Sequence, residues 1–339
     1  MKVAFIIYPD VIISNKSNGV RAQATTWGEA LKRHGIDVVY INNWDNYEWD
    51  TFDAFHFFGL GQWALSLAKR LRPFGKKLII SPIIDPAPSA NYKKNLLKYK
   101  ISTWSRNKVH FNDNIFDSTA LLLAFDTICT RTKFEKDFIS VVYHIPTEMI
   151  NIIPLSYSEE LGNKVKQSVH KENFCLHISS IYQKRKNVLR LIQAAKKFDF
   201  KLVLAGNKGT EEQFAPIKQA IGNAENIEVL GFISEKEKID LYQRAKVFAL
   251  PSIQEGVGIV ALDAAVMGCE IVISNINGPK EYYHGQCKEV NPFCIDEIGQ
   301  GVCDFLNDKI HYQPKLATEL AISYSLDKVV KMLVEIYSR

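Results

Sequence analysis

Two carboxylates, Glu255 and Asp263, flank a pair of glycines in a pattern that suggests ligand chemistry. The stretch 247–274 predicts a buried strand, a turn with Gly256 and Gly258, an apolar helix and a second buried strand. In such a βαβ unit the loop before the helix binds ligands, because free N–H groups and a positive partial charge meet there. The pattern therefore predicts an anion-binding turn with one acid in the loop and one on the helix.

The second of these acids, Asp263, lies on a helix that is apolar on almost every side. A carboxylate in such a place must find a partner, because an unpaired buried charge is costly. The residues alone leave two interpretations open. Asp263 either contacts a ligand or is satisfied by a nearby backbone group or basic side chain.

The order Pro-Ser-x-x-Glu-Gly-x-Gly, followed by an acid at Asp263, resembles the nucleotide-sugar signature of the retaining glycosyltransferases of family 4. The resemblance implies that Glu255 meets the donor sugar and that Asp263 accepts hydrogen bonds from the ribose hydroxyls. The family carries Glu in the second place, so Asp263 is one methylene shorter. The backbone amides expected to meet the sugar and diphosphate are those of Gly256, Val257 and Gly258.

Further donor-binding residues are implied by the same resemblance. Arg185 and Lys186 follow the first predicted strand of the second half and resemble an element whose cations clamp the donor diphosphate. Cations suit that role because they neutralise phosphate and stabilise the charge that grows on the leaving nucleotide. Phe232 resembles the segment that lies along the nucleotide base. Many relatives carry an additional Arg where this chain has Ser180, and a plain surface pair of cations is the alternative.

The first half offers three further candidates. Gly19 stands where the family has a glycine-rich loop that closes over donor and acceptor, and a simple turn glycine is the alternative. His56, near the end of a predicted aromatic strand, resembles a histidine of the cleft wall, and a core histidine is the alternative. Where many relatives place a His after the fourth strand, this chain has Asp85. The catalytic candidates are thus Glu255, His56 and Asp85.

The chain has 339 residues, 47% of them hydrophobic, which is enough for two domains with separate cores. The resemblance implies an α/β chain of GT-B fold, with two Rossmann-like parallel-sheet domains facing a central cleft. The predicted divisions are an acceptor-side domain (1–158), a linker (159–173), a nucleotide-sugar domain (174–318) and a helix returning to the first domain (319–339).

Several classes of protein are disfavoured by the sequence. No apolar run reaches membrane-spanning length, and the amino end is too soon interrupted by Asp10 for a secretion signal. The six cysteines show no Cys-x-x-Cys and no paired His–Cys spacing, which favours free thiols in a reducing cytosol over a zinc site. The resemblance implies that no metal or other cofactor is needed, and no Asp-x-Asp pair argues otherwise.

The formal net charge of +5 is concentrated in the first half, where residues 1–150 hold 19 Lys and Arg against 14 Asp and Glu. Eleven of these cations fall between Lys69 and Lys108, with Asp85 as the single acid, and Tyr, Leu and Trp are interleaved with them. This basic stretch suits docking on an anionic membrane surface. A solvated helix with one packed face is the alternative, and no nucleic-acid-binding module is recognisable.

The prediction is therefore a retaining glycosyltransferase of cell-surface polysaccharide or lipid-linked glycan assembly. Its donor would be a UDP- or GDP-linked sugar, and its acceptor a hydroxyl of a glycan or lipid-linked glycan. We expect it in the cytoplasm or peripherally bound on the inner face of the cell membrane. A catalytically silent partner that binds sugar or nucleotide on the same fold is the rival hypothesis, because fold alone does not establish chemistry. A nucleotide-sugar epimerase is a weaker one.

Overall fold

A computed structural model describes residues 1–8, 11, 19–85, 97, 101, 114–162 and 170–339. The chain forms two compact units. Unit 1 comprises residues 1–155 and 326–339, and unit 2 comprises residues 156–325.

Unit 1 is built on a six-stranded parallel sheet in the order β2-β1-β3-β4-β5-β6. Alternate residues of its strands enter two different cores, with Val3 and Phe5 on one face and Ala4 and Ile6 on the other. Burial on both faces explains why these strands read as continuous apolar runs. The strands are β1 (Lys2–Ile7), β2 (Asp37–Tyr40), β3 (Ala54–Phe58), β4 (Lys77–Ser81), β5 (Thr127–Thr130) and β6 (Ile150–Ile152).

Helices cover both faces of this sheet. The described helices of unit 1 are α1 (Gly19–Arg33), α2 (Gln62–Leu71), α3 (Asn114–Leu122), α4 (Lys133–Tyr143) and α12 (Leu326–Ser338). The last of them packs against α1 and contributes Val329, Val330 and Leu333 to the core of unit 1.

Unit 2 repeats the plan with a second six-stranded parallel sheet, in the order β12-β11-β10-β7-β8-β9. Its strands are β7 (Glu172–Ile178), β8 (Leu202–Ala205), β9 (Ile227–Gly231), β10 (Ala245–Leu250), β11 (Glu270–Ser274) and β12 (Lys288–Val290). Its described helices are α5 (Glu159–Gly162), α6 (Val188–Phe198), α7 (Glu211–Ile221), α8 (Glu235–Arg244), α9 (Ile259–Val266), α10 (Ile295–Leu306) and α11 (Lys315–Ser323).

The two parallel sheets confirm the predicted α/β class. The structure moves two of the predicted boundaries. Unit 2 already begins at Ser156, and the predicted start of the returning segment, at 319, falls inside α11, which stays in unit 2. The predicted linker 159–173 contains α5 and the first residues of β7, and its residues 163–169 lie outside the described part. Among the described helices there is no apolar stretch of the length that a bilayer-spanning helix requires.

Candidate functional site

The glycine turn between β10 and α9 is the centre of the candidate site. Gly258 is the N-cap residue that directly precedes α9, and its φ of 71° is one that a side chain disfavours. A Cβ at Gly258 would also lie 2.8 Å from Leu250 Cδ2. No side chain caps this helix end. The N–H of Ala261 donates to the carbonyl oxygen of Gly258 at 2.8 Å, so the N–H groups of Ile259 and Val260 are the ones that can meet an anion.

A second loop packs directly on this turn. Gly278, which follows β11, has a φ of 97°, and a Cβ there would lie 2.7 Å from the carbonyl oxygen of Gly256. The two backbones therefore touch without a side chain between them. A side chain at Gly278 would thus displace the backbone of Gly256.

Glu255 lies in the turn beside two cations. Lys186 Nζ forms an ion pair with Glu255 Oε2, and Arg185 Nη1 lies 3.8 Å from Oε1. Ser252 Oγ donates a hydrogen bond of 3.3 Å to Oε2. The side chains of Glu255 and Lys186 are each only 11% exposed, whereas that of Arg185 is 42% exposed. Water screens the largely buried pair of Lys186 and Glu255 weakly, so Lys186 holds the carboxylate more firmly than Arg185 does.

The loop that carries these cations is fixed by Asn187, whose importance the sequence analysis missed. Asn187 has a φ of 61°, and its side-chain Nδ2 donates to the carbonyl oxygens of Pro251 (2.9 Å) and Pro292 (2.6 Å). The N–H of Ile253 also donates to the carbonyl of Arg185 at 2.8 Å. Asn tolerates the left-handed region better than most residues, so an Asn directly after two cations was a readable signal.

His177, at the end of β7, is a second support that the sequence did not reveal. Its side chain is fully buried, with Nδ1 2.7 Å from the carbonyl oxygen of Ala249 and Nε2 2.7 Å from Ser179 Oγ. Burial lowers the pKa of His177 to about 4, and Lys186 also acts in that direction. The ring is therefore neutral at pH 7, and Nδ1–H donates to the carbonyl because that oxygen can only accept. The His177 side chain thus links the end of β7 to the end of β10, close to the loop that carries Arg185 and Lys186.

Asp263 has a structural partner. The backbone N–H of Ser158 donates to Asp263 Oδ1 at 2.8 Å, and the residue is only 4% exposed. Burial raises the pKa of this carboxyl to about 6, although the Ser158 hydrogen bond and Lys238 oppose the shift. The structure thus supports the alternative in which a nearby backbone group satisfies the Asp263 carboxylate. The ribose contact implied by the resemblance stays a prediction.

The raised pKa of Asp263 predicts a pH-dependent stability. Between pH 4 and pH 6 the folded chain holds a proton that the unfolded chain, with an ordinary carboxyl pKa of 3.8, has lost. The contribution of Asp263 to the free energy of unfolding therefore falls as the pH rises through this window. The Asp263→Asn variant cannot ionise at this position. We therefore expect its free energy of unfolding to rise relative to that of the wild type by up to about 3 kcal/mol between pH 4 and pH 7. Denaturant unfolding of both proteins across this range measures the gain, and a pH-independent difference would contradict it.

Two other donor-site candidates have contrasting surroundings. Phe232, directly after β9, is 86% exposed, so its ring is available to a ligand. Gly19 is the first residue of α1, and a Cβ there would meet no atom of the described residues within 4 Å. Crowding by these residues therefore gives no reason for glycine at that position. Of the predicted loop Asn18-Gly19-Val20, Asn18 lies outside the described part.

His56 belongs to the core of unit 1, which corrects its prediction as a catalytic residue. The side chain is fully buried and stacks on Phe58, with ring centroids 4.3 Å apart. Nδ1 lies 2.7 Å from Tyr337 Oη, and Nε2 lies 2.9 Å from Ser81 Oγ. Burial lowers the pKa of His56 to about 3. A neutral ring with both nitrogens engaged and no exposed atom has no route to a substrate.

Asp85 lies just beyond β4 and is engaged with a buried arginine. Arg131 Nη2 donates to Asp85 Oδ1 at 2.8 Å, while Arg131 Nε donates to Glu135 Oε2 at 2.9 Å. Burial would lower the pKa of Arg131, but Glu135 and Asp85 raise it above its ordinary value. The Asp85 side chain remains 40% exposed, and its catalytic role stays a prediction.

The predicted site residues thus separate into groups. The structure brings together Arg185, Lys186, Glu255, Gly256, Val257 and Gly258 in unit 2. It places Asp263 inside unit 2, Phe232 at the end of β9, and Gly19, His56 and Asp85 in unit 1.

Comparison with known proteins bears on this arrangement. Residues 159–317 match the family model of glycosyl transferases group 1. Over 221 residues the chain is 25% identical to an uncharacterized glycosyltransferase of Methanocaldococcus jannaschii, covering 62% of this chain and 57% of that one. Over 197 residues it is 26% identical to O-antigen chain mannosyltransferase B of Escherichia coli, covering 53% and 51%. The chain thus matches about half the length of these curated relatives.

A solved structure matches over the whole chain. It is that of Anabaena HepE in complex with UDP and glucose, with a TM-score of 0.70 and 14% identity. The match covers 100% of this chain and 99% of the other. At this identity the likeness establishes the fold.

Proposed function

We propose that this protein is a retaining glycosyltransferase, because residues 159–317 match the family model of glycosyl transferases group 1 and the chain has the GT-B fold. It moves a sugar from a nucleotide-sugar donor to a hydroxyl of a glycan or lipid-linked acceptor. The observation that carries the proposal is the cluster in which Lys186 and Arg185 flank Glu255 at the uncapped amino end of α9.

This cluster suits a sugar joined to a diphosphate. The two cations and the helix end supply positive charge for the diphosphate, and that charge stabilises the leaving nucleotide as the bond to the sugar breaks. No metal is needed in this scheme. Glu255 accepts hydrogen bonds from the sugar hydroxyls and orients the anomeric carbon.

Retention follows from departure and attack on one face of the sugar. The bond between the anomeric carbon and the phosphate oxygen breaks, and the acceptor oxygen bonds to the same face of that carbon. The acceptor proton passes to the leaving diphosphate. This route requires no protein base, which agrees with the burial of His56 and the engagement of Asp85 with Arg131.

The donor and the acceptor are proposed at the level of class. The HepE structure was solved with UDP and glucose, whereas the relative from Escherichia coli is named a mannosyltransferase of the O-antigen chain. A UDP- or GDP-linked hexose and a growing polysaccharide are consistent with both.

Contact with an anionic membrane belongs to the same proposal. It depends on the basic stretch Lys69–Lys108, and its central cations Lys93, Lys94, Lys98 and Lys100 lie outside the described residues. The membrane contact therefore stays a prediction.

A silent binding partner remains the second candidate. Ser180 in place of an arginine and the absence of a histidine after β4, where this chain has Asp85, favour it. Slow hydrolysis of a nucleotide-sugar by the isolated protein distinguishes the two, because a silent partner binds the donor without consuming it.

We expect Lys186→Ala to weaken nucleoside diphosphate binding by about 10- to 100-fold, since a hydrogen bond to a charged group contributes roughly 1.5–3 kcal/mol. The nucleoside itself should bind almost as before. A thermal-shift panel of UDP, GDP, their sugars, uridine and guanosine makes the measurement, because a ligand at 100 times its dissociation constant stabilises by about 2.7 kcal/mol. Lys184→Ala, exposed on the same turn, is the control. Equal losses for nucleoside and diphosphate would make Lys186 a structural lysine.

A further inference from the structure

The loop after β2, residues 42–47, is held in one conformation by its own side chains. Asn42 Oδ1 accepts from the N–H groups of Trp44 (2.8 Å) and Asp45 (3.0 Å), and Asn42 Nδ2 donates to Asp45 Oδ2 (2.5 Å). Tyr47 Oη accepts from the N–H of Asn42 at 3.0 Å. Its ring in turn packs against Trp49 at the edge of the core. The loop is therefore anchored and preorganised.

This fixed loop presents a large apolar side chain to solvent. Trp44 is 92% exposed, more than any other large hydrophobic residue in the described part of the chain. Indole combines a broad apolar face with low conformational entropy, and a rigid loop reduces the ordering cost of binding further. A side chain held outward in this way is suited to pack on a ligand.

The charges around Trp44 decide the kind of ligand. Residues 41–52, which lie between β2 and β3, contain three acids, Asp45, Glu48 and Asp50, and no Lys or Arg. This excess of acids in the loop disfavours contact of Trp44 with an anionic membrane or a nucleic acid. Carboxylate and amide oxygens instead accept hydrogen bonds from hydroxyl groups, and the C–H face of a sugar ring is apolar enough to pack on indole.

The position of the loop points the same way. It follows the carboxyl end of β2, and ligands of open parallel sheets bind at that edge. The same edge holds a cavity of about 450 Å³, lined among others by Ile7, Arg21, Tyr40, Ile41 and Phe58. Trp44 is three residues beyond Ile41, which lines the cavity. At most roughly 10 Å of backbone therefore separates Trp44 from the cavity wall.

We propose that Trp44 is a sugar-binding platform for the acceptor, on which one ring of a neutral oligosaccharide stacks while the adjoining part of the chain occupies this cavity. The inference rests on the proposed glycosyl transfer and narrows the acceptor to a glycan of at least two sugars. Trp44 is then a specificity-determining residue.

The test is direct binding of linear oligosaccharides, measured by calorimetry on the full chain without donor. The probes are the α-linked tetrasaccharides of mannose and of glucose and the β-linked tetrasaccharide of N-acetylglucosamine. We expect the wild type to bind at least one of them, Trp44→Ala to bind it at least 10-fold more weakly, and Trp44→Tyr to retain most of the affinity. Phe74→Ala is the matched control, because Phe74 is exposed but lies just before the amino end of β4, at the opposite edge.

Three results would overturn the inference. They are wild-type protein that binds none of the three probes, equal binding by wild type and Trp44→Ala, and sedimentation with anionic phosphatidylglycerol vesicles that only Trp44→Ala loses. A failure of the proposed function looks different. In that case donor turnover is absent from every variant, whereas the Trp44-dependent binding of an oligosaccharide persists.

Discussion

Glu255→Ala is expected to reduce sugar transfer by about 100- to 1,000-fold, the range seen when one preorganised polar group of an active site is removed. Its carboxylate contacts the reacting sugar in the proposed mechanism, so the loss should appear in kcat. The same change frees Lys186 and Arg185 from their counterion. Nucleoside diphosphate binding should therefore hold or become tighter while transfer is lost.

Calorimetry with UDP and GDP, beside a transfer assay with the donor that binds, measures this divergence. Glu255→Gln is the matched variant, because it keeps the shape and a hydrogen-bonding oxygen but removes the charge. It should retain part of the transfer lost in Glu255→Ala. Weaker diphosphate binding in Glu255→Ala would mean that the carboxylate serves to position the cations, and transfer like that of the wild type would refute its role.

The central βαβ unit was predictable from the sequence because its signals are local. The predicted buried strand ends at Leu250, and the predicted helix begins at Ile259, as the structure has them. Glycine stops the helix at Gly268, which has a φ of 86°. Each of these features depends on neighbours within a few positions, where periodicity and turn chemistry act.

The surroundings of single polar residues were not predictable in this way. His56 finds Tyr337, 281 positions away, and Asp263 finds the N–H of Ser158, 105 positions away. Such partners come together only when helices and strands have packed. A local sequence pattern therefore cannot predict them. The sequence could state that Asp263 needed a partner, but it could not say which.

Trp44 is the reverse case. The sequence contains a local turn pattern at Asn42, but it does not reveal that the indole of Trp44 is exposed. Asn42 two positions before an aromatic residue is compatible with a side-chain turn. Whether the indole then packs on the core or faces solvent depends on Tyr47 and Trp49, which are partly buried and pack against the core in its place. Exposure is a property of the packed unit.

Gly278→Ala is expected to destabilise unit 2 by about 2–4 kcal/mol and to weaken nucleotide binding more than 10-fold, for two separable reasons. The first is the backbone, because a φ of 97° disfavours any side chain. The second is contact, because the new Cβ would lie 2.7 Å from the carbonyl oxygen of Gly256. Since that atom belongs to the backbone of the glycine turn, the turn itself must move.

Gly285→Ala separates the two reasons. Gly285 has a φ of 79° in the same unit, but a Cβ there would meet nothing within 4 Å. It should therefore lose about 1–2 kcal/mol from the backbone alone and bind nucleotide like the wild type. Denaturant unfolding and calorimetry with UDP and GDP on both variants make the comparison. If both variants bind nucleotide equally well, the contact between Gly278 and Gly256 does not shape the site, and the anion-binding turn must be held by the loop of Asn187 alone.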